Sequence, residues 1–504
     1  MSEKFKKYTD PDTYMKIVDY PNVTAMWTHS VESYSSDIAI VDGDAYSYAE
    51  LDSRVASFRT VLREAGVLPG SVIGILCPNS VGFVKSFLAA ATSAVPAVLL
   101  PPHLDAATVC GIAMKFGFKA LVYDDSLSDK VAVLKENAPQ IALITSSADA
   151  ELGTDPIDMP AETPCAFLFT GGTTGKGKAV RLSHRAVMAG AKNGCYGIKD
   201  VFGEKYLLIL PLTHVFGLIR NLMTVLYTGS AMFICRNQQN MFRDIATFRP
   251  TILVLVPALA EMALNLSRQF GRNMLGDSLK TIICGAAPVA PYLATEYKKI
   301  GIDLFPGYGL TESANLVSGN PEVMSKPSSV GMIYDGMEYK IVDGELWLKG
   351  VNMMDGYASP EDNAAAYEDG WFKTGDLVHM DADGYLYITG RTKEVIVLST
   401  GENVSPAELE VKFYDLDVVQ DCLVYCEKEG TGAEQLIIEI LPRMSAVKEL
   451  GIEDIDSYMN DRLAEINRTL PAFERINKVI IRKDDFIRTP AMKIARDRNG
   501  NNKK

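Results

Sequence analysis

The sequence predicts an α/β protein in which a large N-terminal α/β domain of several subdomains is followed by a smaller C-terminal α+β domain. Three observations carry this expectation. The 504 residues exceed what a single hydrophobic core organises. Short β-branched runs bounded by Pro or Gly alternate with helical patterns through about the first 390 residues, as α/β layers do. Beyond residue 340 hairpins take over, and a second mixture of strands and helices closes the chain.

Taken in order, Ala39–Tyr48 reads as a hairpin turned by Asp42-Gly43-Asp44. Leu51, Val55, Phe58 and Leu62 recur at helical spacing, and Gly66 stands where a C-cap glycine belongs. Val72–Leu76, Ile252–Val256 and Thr281–Cys284 read as buried strands. The most apolar run, Phe87–Pro102, contains Pro96 and falls short of the ~20 residues of a membrane span. It reads as a buried helix end, a turn and a buried strand. Ile341–Leu348 is a tight hairpin around Asp343-Gly344, and Gly384–Thr389 a further strand. The polar Gly390-Arg391-Thr392-Lys393 marks a junction, giving domains 1–390 and 391–504. Past it, strands at Leu436–Leu441 and Lys478–Ile481 flank a helix at Ile455–Leu470.

A formal net charge of −13 argues against a nucleic-acid partner, which needs a positive surface. Eight scattered cysteines without a CxxC pair and five dispersed histidines fit neither a disulfide framework nor a zinc site, so a reducing cytoplasm is the expected compartment. The polar start, MSEKFKKYTD, lacks the apolar stretch of a signal peptide.

The chemistry begins at Phe167-Leu168-Phe169-Thr170-Gly171-Gly172-Thr173-Thr174-Gly175-Lys176-Gly177-Lys178. A buried strand enters a loop whose glycines turn N–H groups toward an anion while hydroxyls and lysines add donors and charge, a phosphate cradle. A Walker A loop would need Ser or Thr where Ala179 stands, and a helix where Ala179–Ser183 reads as a strand, so a P-loop NTPase is excluded. Strand followed by Thr-Gly-Gly-Thr-Thr-Gly-x-x-Lys instead resembles the phosphate-binding loop of the adenylate-forming superfamily, which includes acyl-CoA synthetases and peptide-synthetase adenylation domains. The resemblance implies that Thr170, Gly171, Gly172, Thr173, Thr174, Gly175 and Lys178 hold ATP phosphates. It also implies a small C-terminal domain that is mobile. Gly177 replaces the usual proline and is expected to loosen the loop.

Four further stretches follow in the family's order. Gly307-Tyr308-Gly309-Leu310-Thr311-Glu312-Ser313 places a hydroxyl and a carboxylate side by side after a glycine turn, which suits a magnesium nucleotide. Resemblance makes Tyr308 an adenine contact, Thr311 an α-phosphate donor and Glu312 the Mg2+ ligand. Gly285-Ala286-Ala287-Pro288 resembles the stretch beneath adenine, and Asp376 of Thr374-Gly375-Asp376, with Arg391, resembles the ribose contacts. In Thr489–Arg496, Lys493 matches the catalytic lysine that bridges the acid's carboxylate and the α-phosphate, although Met492 replaces the usual glycine before it. Lys393 matches the hinge, and Gly401 the loop glycine that admits a pantetheine arm when the domain swings.

Pro211–Gly217 resembles the acyl-pocket motif, implying substrate contacts from His214, Phe216 and Gly217. No aspartate lies near to pair with a buried ammonium, which disfavours an amino-acid substrate. The wording around Lys493 looks most like bacterial fatty acyl-CoA synthetases. The expected reaction is therefore ATP-dependent activation of a carboxylic acid, of the fatty class, to acyl-AMP, then transfer to coenzyme A. One alternative acceptor is a carrier-protein phosphopantetheine. A silent nucleotide- or acyl-adenylate-binding protein is the alternative of another class, against which stand Lys493, Glu312 and the threonines.

Overall fold

Ile38–Asp42 and Asp44–Ser47 pair antiparallel around Gly43, whose φ of +77° suits glycine. Ser47 then caps the helix Tyr48–Glu64: its hydroxyl accepts the Glu50 N–H at 3.2 Å, and the Glu50 carboxylate accepts the Ser47 N–H at 2.7 Å. Leu51, Val55, Phe58 and Leu62 bury the inner face of that helix, as their spacing predicts. The structure, a computed structural model, describes residues 4–170, 177–398, 402–428, 434–488 and 494–496.

Two large sheets organise the N-terminal region. The first has six strands in the order Ala142–Thr145, Ala120–Tyr123, Ile73–Leu76, Ala97–Leu99, Pro164–Phe169 and Ala179–Ser183. All its pairs are parallel except the last, in which the strands either side of the phosphate-loop sequence run antiparallel. The apolar run resolves as expected into the end of the helix Val81–Ala91, a turn through Pro96 and the buried strand Ala97–Leu99.

In the nine-stranded sheet, Asp303–Tyr308, Thr281–Cys284, Ile252–Leu255 and Lys205–Leu208 lie side by side and parallel. The central two are buried at every position, which is why they read as continuous apolar runs rather than alternating ones. The chain leaves all four at their carboxyl ends, on the edge where open α/β sheets bind ligands.

An antiparallel five-stranded sheet follows, its first hairpin turned by Asp343 and Gly344 at φ +49° and +82°. Its strand Leu386–Arg391 runs past the expected end at Thr389, because Arg391 is the ladder partner of Asp376. In the C-terminal region the helices Pro406–Tyr414 and Ile455–Thr469 pack on a three-stranded sheet, Val419–Lys428, Glu434–Pro442 and Lys478–Ile481. Phe413, Val424, Ile438 and Met459 belong to a buried cluster separate from the N-terminal core. The regions meet where the Arg443 guanidinium lies 3.6 Å over the Tyr292 ring. Among the described residues no helix is long and apolar enough to cross a membrane. Cys77, Cys165, Cys195, Cys235, Cys284 and Cys422 are buried and unbridged.

Candidate active site

Three of the four parallel strands deliver a motif to the same sheet edge. Asp303–Tyr308 passes into Gly309, where a Cβ would sit 1.1 Å from the Asn315 carbonyl oxygen, so only glycine fits. A single turn, Thr311–Ser313, then closes through Ala314 and Asn315 at φ +46° and +82°. Such left-handed conformations strain non-glycine residues and concentrate at functional sites. They hold Thr311 and Glu312 half-buried at the end of the sheet. Thr281–Cys284 delivers Gly285–Pro288, with Ala286 left-handed at φ +68°. Lys205–Leu208 delivers Pro211–Gly217. These segments touch at Gly285, where a Cβ would lie 3.0 Å from the Gly307 carbonyl oxygen and 3.5 Å from the Phe216 ring.

Asp376 is 5% exposed and its carboxylate joins three sequence motifs. Arg391 donates from Nε to Oδ1 at 2.7 Å, and the Tyr308 hydroxyl donates to Oδ2 at 2.5 Å. Burial and the Asp376 charge push the Tyr308 phenol well above its ordinary range, so it remains a donor. Asp376 is set by its own neighbours: its N–H donates to Thr374 Oγ1 at 3.0 Å, and the Thr374 hydroxyl donates to the Leu346 carbonyl at 2.7 Å. A carboxylate offers about four acceptor positions, so two remain after these partners, the number a ribose diol requires.

Glu312 accepts the Tyr357 hydroxyl on Oε1 at 2.7 Å, and its Oε2 carries no hydrogen bond among the described residues. The Lys178 ammonium stands 4.6 Å over the Tyr357 ring and 3.3 Å from Asp362 Oδ1. Tyr357 therefore links the end of the phosphate-loop sequence to the carboxylate of a different motif. It reaches this place because Val180 bridges to Tyr357, with Arg181 N–H on the Gly356 carbonyl at 3.0 Å and Ala358 N–H on the Ala179 carbonyl at 2.8 Å. Nothing local in the sequence marks Tyr357 or Asp362. Their roles arise from a pairing between remote segments.

Thr170 and Lys178 close the base of the hairpin, Thr170 N–H donating to the Lys178 carbonyl at 2.9 Å and Lys178 N–H to the Thr170 hydroxyl at 3.2 Å. At Gly177 a Cβ would come within 2.6 Å of the Thr170 carbonyl oxygen. Glycine thus lets the base of the hairpin close tightly. Gly171, Gly172, Thr173, Thr174, Gly175, Gly401 and Lys493 lie outside the described residues.

His214 Nδ1 accepts the Phe216 N–H at 3.3 Å, which leaves Nε2 as the protonated nitrogen of the neutral ring. Phe216 begins a π-helix, Phe216–Met223, all of it buried. Such windings are rare and frequent at functional sites. Gly217 packs where a Cβ would be 2.2 Å from the Pro211 carbonyl oxygen. Lys393 is exposed, in the turn that closes through Glu394 N–H on the Arg391 carbonyl at 3.0 Å. From the end of the chain, Arg496 binds Glu410 at 2.9 and 2.5 Å and Glu394 at 3.1 Å. The sequence motif contains Arg496, yet its partner on a distant helix is invisible there.

Residues 27–358 match the family model described as AMP-binding enzyme. The chain belongs to that family. Residues 393–501 of this AMP-binding enzyme match the corresponding C-terminal domain. It is 28% identical over 506 residues to the rice 4-coumarate–CoA ligase-like 3, covering 90% of this chain and 83% of that one. It is likewise 28% identical over 400 residues to a feruloyl-CoA synthase of Amycolatopsis, covering 76% and 80%. Its fold is that of the anthranilate CoA ligase AuaEII solved with anthranoyl-AMP, at TM-score 0.82 and 20% identity over 95% and 96% of the two chains.

The side chains fit a magnesium nucleotide. Among the described residues no three His, Cys, Asp or Glu side chains gather into a metal cage. Mg2+ needs none, since it keeps its waters and takes one or two carboxylates together with phosphate oxygens. Glu312 would supply one such carboxylate, and Tyr357 holds its Oε1.

Proposed function

We propose that this AMP-binding enzyme joins a carboxylic acid to coenzyme A through an acyl-adenylate. The observation that carries this reading is the Asp376 carboxylate, buried at the sheet edge and shared by Tyr308 and Arg391 with acceptor positions to spare. In this reading Asp376 takes the ribose hydroxyls, Gly285–Pro288 and the Tyr308 ring flank adenine, and Thr311 donates to the α-phosphate. Lys178 and the loop Thr170–Gly175 hold the outgoing phosphates. Glu312 would hold Mg2+, which neutralises charge on the phosphates when bound. His214, Phe216 and Gly217 border the acid.

An oxygen of the acid's carboxylate attacks the α-phosphorus, the bond to the β-phosphate oxygen breaks, and pyrophosphate leaves. In-line displacement of this kind depends on positioning and charge, for which Lys493 is proposed to bridge acid and α-phosphate. The thiol sulfur then attacks the acyl carbon, AMP leaves with the bonding pair, and the thiol proton passes to solvent. We divide the chain at 1–390 and 391–504, with Lys393 as hinge and Gly401 on the face that admits the thiol after the smaller domain swings. Relatives named as CoA ligases favour coenzyme A over a carrier protein as acceptor. For the acid, the relatives are named for 4-coumarate and ferulate rather than for a fatty acid, and the buried π-helix carries the polar side chains Arg220 and Asn221.

Acid-dependent ATP–pyrophosphate exchange without coenzyme A tests the first half-reaction over short to long fatty acids, aryl acids and diacids. Exchange with one class supports the reading, and silence across the panel with ATP still bound defeats it. Lys493→Ala is expected to abolish exchange yet still convert supplied acyl-adenylate to thioester. Gly401→Leu is expected to do the converse.

A further inference from the structure

Arg220 lies on the π-helix one turn beyond Phe216 and is 2% exposed. It forms no ion pair among the described residues; its side-chain partner is the neutral Tyr206 hydroxyl, and its Nη1 is wholly buried without a partner. Asn221, next to it, is fully buried with neither its amide nitrogen nor its oxygen bonded. The titratable groups facing Arg220 are Tyr206, Tyr334 and Cys195, and burial pushes each of them up to about 12, so none is an anion at neutral pH. An uncompensated buried charge costs several kcal/mol, which a fold does not retain without a counter-charge from elsewhere.

Arg220 has somewhere to receive one. It lines a cavity of about 30 Å3, room for one small group, whose wall includes Gly307 and Ile283. Gly307 opens the turn that carries Tyr308, Thr311 and Glu312, and its carbonyl lies beneath Gly285 beside the Phe216 ring. The cavity therefore adjoins the acid's proposed contacts through Gly307, whose carbonyl shares the Gly285 backbone with the Phe216 ring, and its one charged side chain is cationic.

Resting on the proposed acid activation, we propose that Arg220 receives a second anionic group at the distal end of the substrate, so that the enzyme prefers a dicarboxylic acid over the matching monocarboxylic one. A guanidinium meets a carboxylate with paired N–H donors, and such charged hydrogen bonds in a site closed to water are among the strongest side-chain contacts. A monoacid of the same length leaves the charge unpaired and is selected against, as sites built around a buried polar group reject ligands that cannot satisfy it.

The test is pyrophosphate exchange over matched pairs, each monocarboxylic acid set against the same aryl or alkyl skeleton bearing a second carboxylate at its far end. Wild-type enzyme is expected to show a kcat/KM at least tenfold higher for the diacid of the best-fitting pair. Arg220→Met is expected to lower kcat/KM for that diacid about 100-fold, leave its monoacid partner within threefold, and leave KM for ATP unchanged. Arg220→Lys, which keeps the charge without the fork, is expected to retain part of the preference. Monoacid preference by wild type throughout the pairs overturns the proposal while leaving acid activation intact. So does an equal loss for both acids in a folded Arg220→Met protein. Absence of exchange with every acid overturns acid activation itself, and this inference with it. The wild-type comparison decides the matter even where Arg220→Met does not fold.

Discussion

Arg496, three residues beyond Lys493, closes on Glu410 of the helix Pro406–Tyr414 with two nitrogens at 2.9 and 2.5 Å. Glu410 also accepts the Val424 N–H at 2.7 Å and is buried, and burial raises its pKa against the pull of Arg496. The described stretch 494–496 is thereby tied to the core of the small domain. Arg496→Ala is expected to cost about 3–5 kcal/mol, the usual result of orphaning a buried charge. Thermal unfolding measures it. Pyrophosphate exchange is expected to fall with it, and Glu410→Gln combined with Arg496→Met to recover stability without recovering exchange.

Asp376→Asn preserves shape and removes charge where Arg391 and Tyr308 meet. The loss of a charged acceptor is worth about 1.5–3 kcal/mol, hence a KM for ATP raised ~10- to 100-fold. The ATP dependence of exchange checks this. Tyr308→Phe, which removes one donor and keeps the ring, is expected to change it by less than tenfold.

Tyr357→Phe frees Glu312 Oε1 from the Tyr357 hydroxyl. The Mg2+ concentration that half-saturates exchange is expected to rise several-fold while thermal stability falls by about 1 kcal/mol. An unchanged Mg2+ requirement would remove Glu312 from the cation's proposed shell.

The contact between the two regions is expected to depend on pH through Glu261. Tyr292, the residue beneath Arg443, donates its hydroxyl to Glu261, and burial raises the Glu261 pKa to about 7. The docked form holds the proton more tightly than a solvated carboxylate with its ordinary value of 4.5. Raising pH from 4.5 to 7 therefore weakens docking, and below 4.5 the dependence vanishes because both forms are protonated. Fluorescence energy transfer between labels on the two regions, read against pH, is expected to fall across that window in the wild type and to stay flat in Glu261→Gln.

What the sequence discloses is what is local. The turns at Gly43 and Gly344 and the buried strands of the central sheet need only neighbouring residues, and they stand where their patterns put them. Motifs that carry glycine for a steric reason, such as Gly309, are equally legible. Tyr357, Asp362, Arg220 and Glu410 are not, because each acquires its meaning from a partner brought by the fold. Arg220 within a buried apolar stretch was the one readable warning, since a charge in such a run asks for an explanation. The strand Leu386–Arg391 overran its expected end for a similar reason: a cross-strand carboxylate extends it.

The bridge from the strand Ala179–Ser183 to Tyr357 has a consequence for biosynthesis. Arg181 and Asp355, joined there by a 2.7 Å hydrogen bond, are 174 residues apart. At ribosomal rates of roughly 5–20 residues per second, Arg181 precedes its partner by about 10–35 s. For that interval the nascent chain carries a hairpin with an unfinished edge, and an edge strand without its neighbour invites pairing with other chains. Codon choice and chaperone supply over this stretch should govern the yield of soluble enzyme more than changes made anywhere earlier in the chain, since the edge is covered only after residue 358 has emerged.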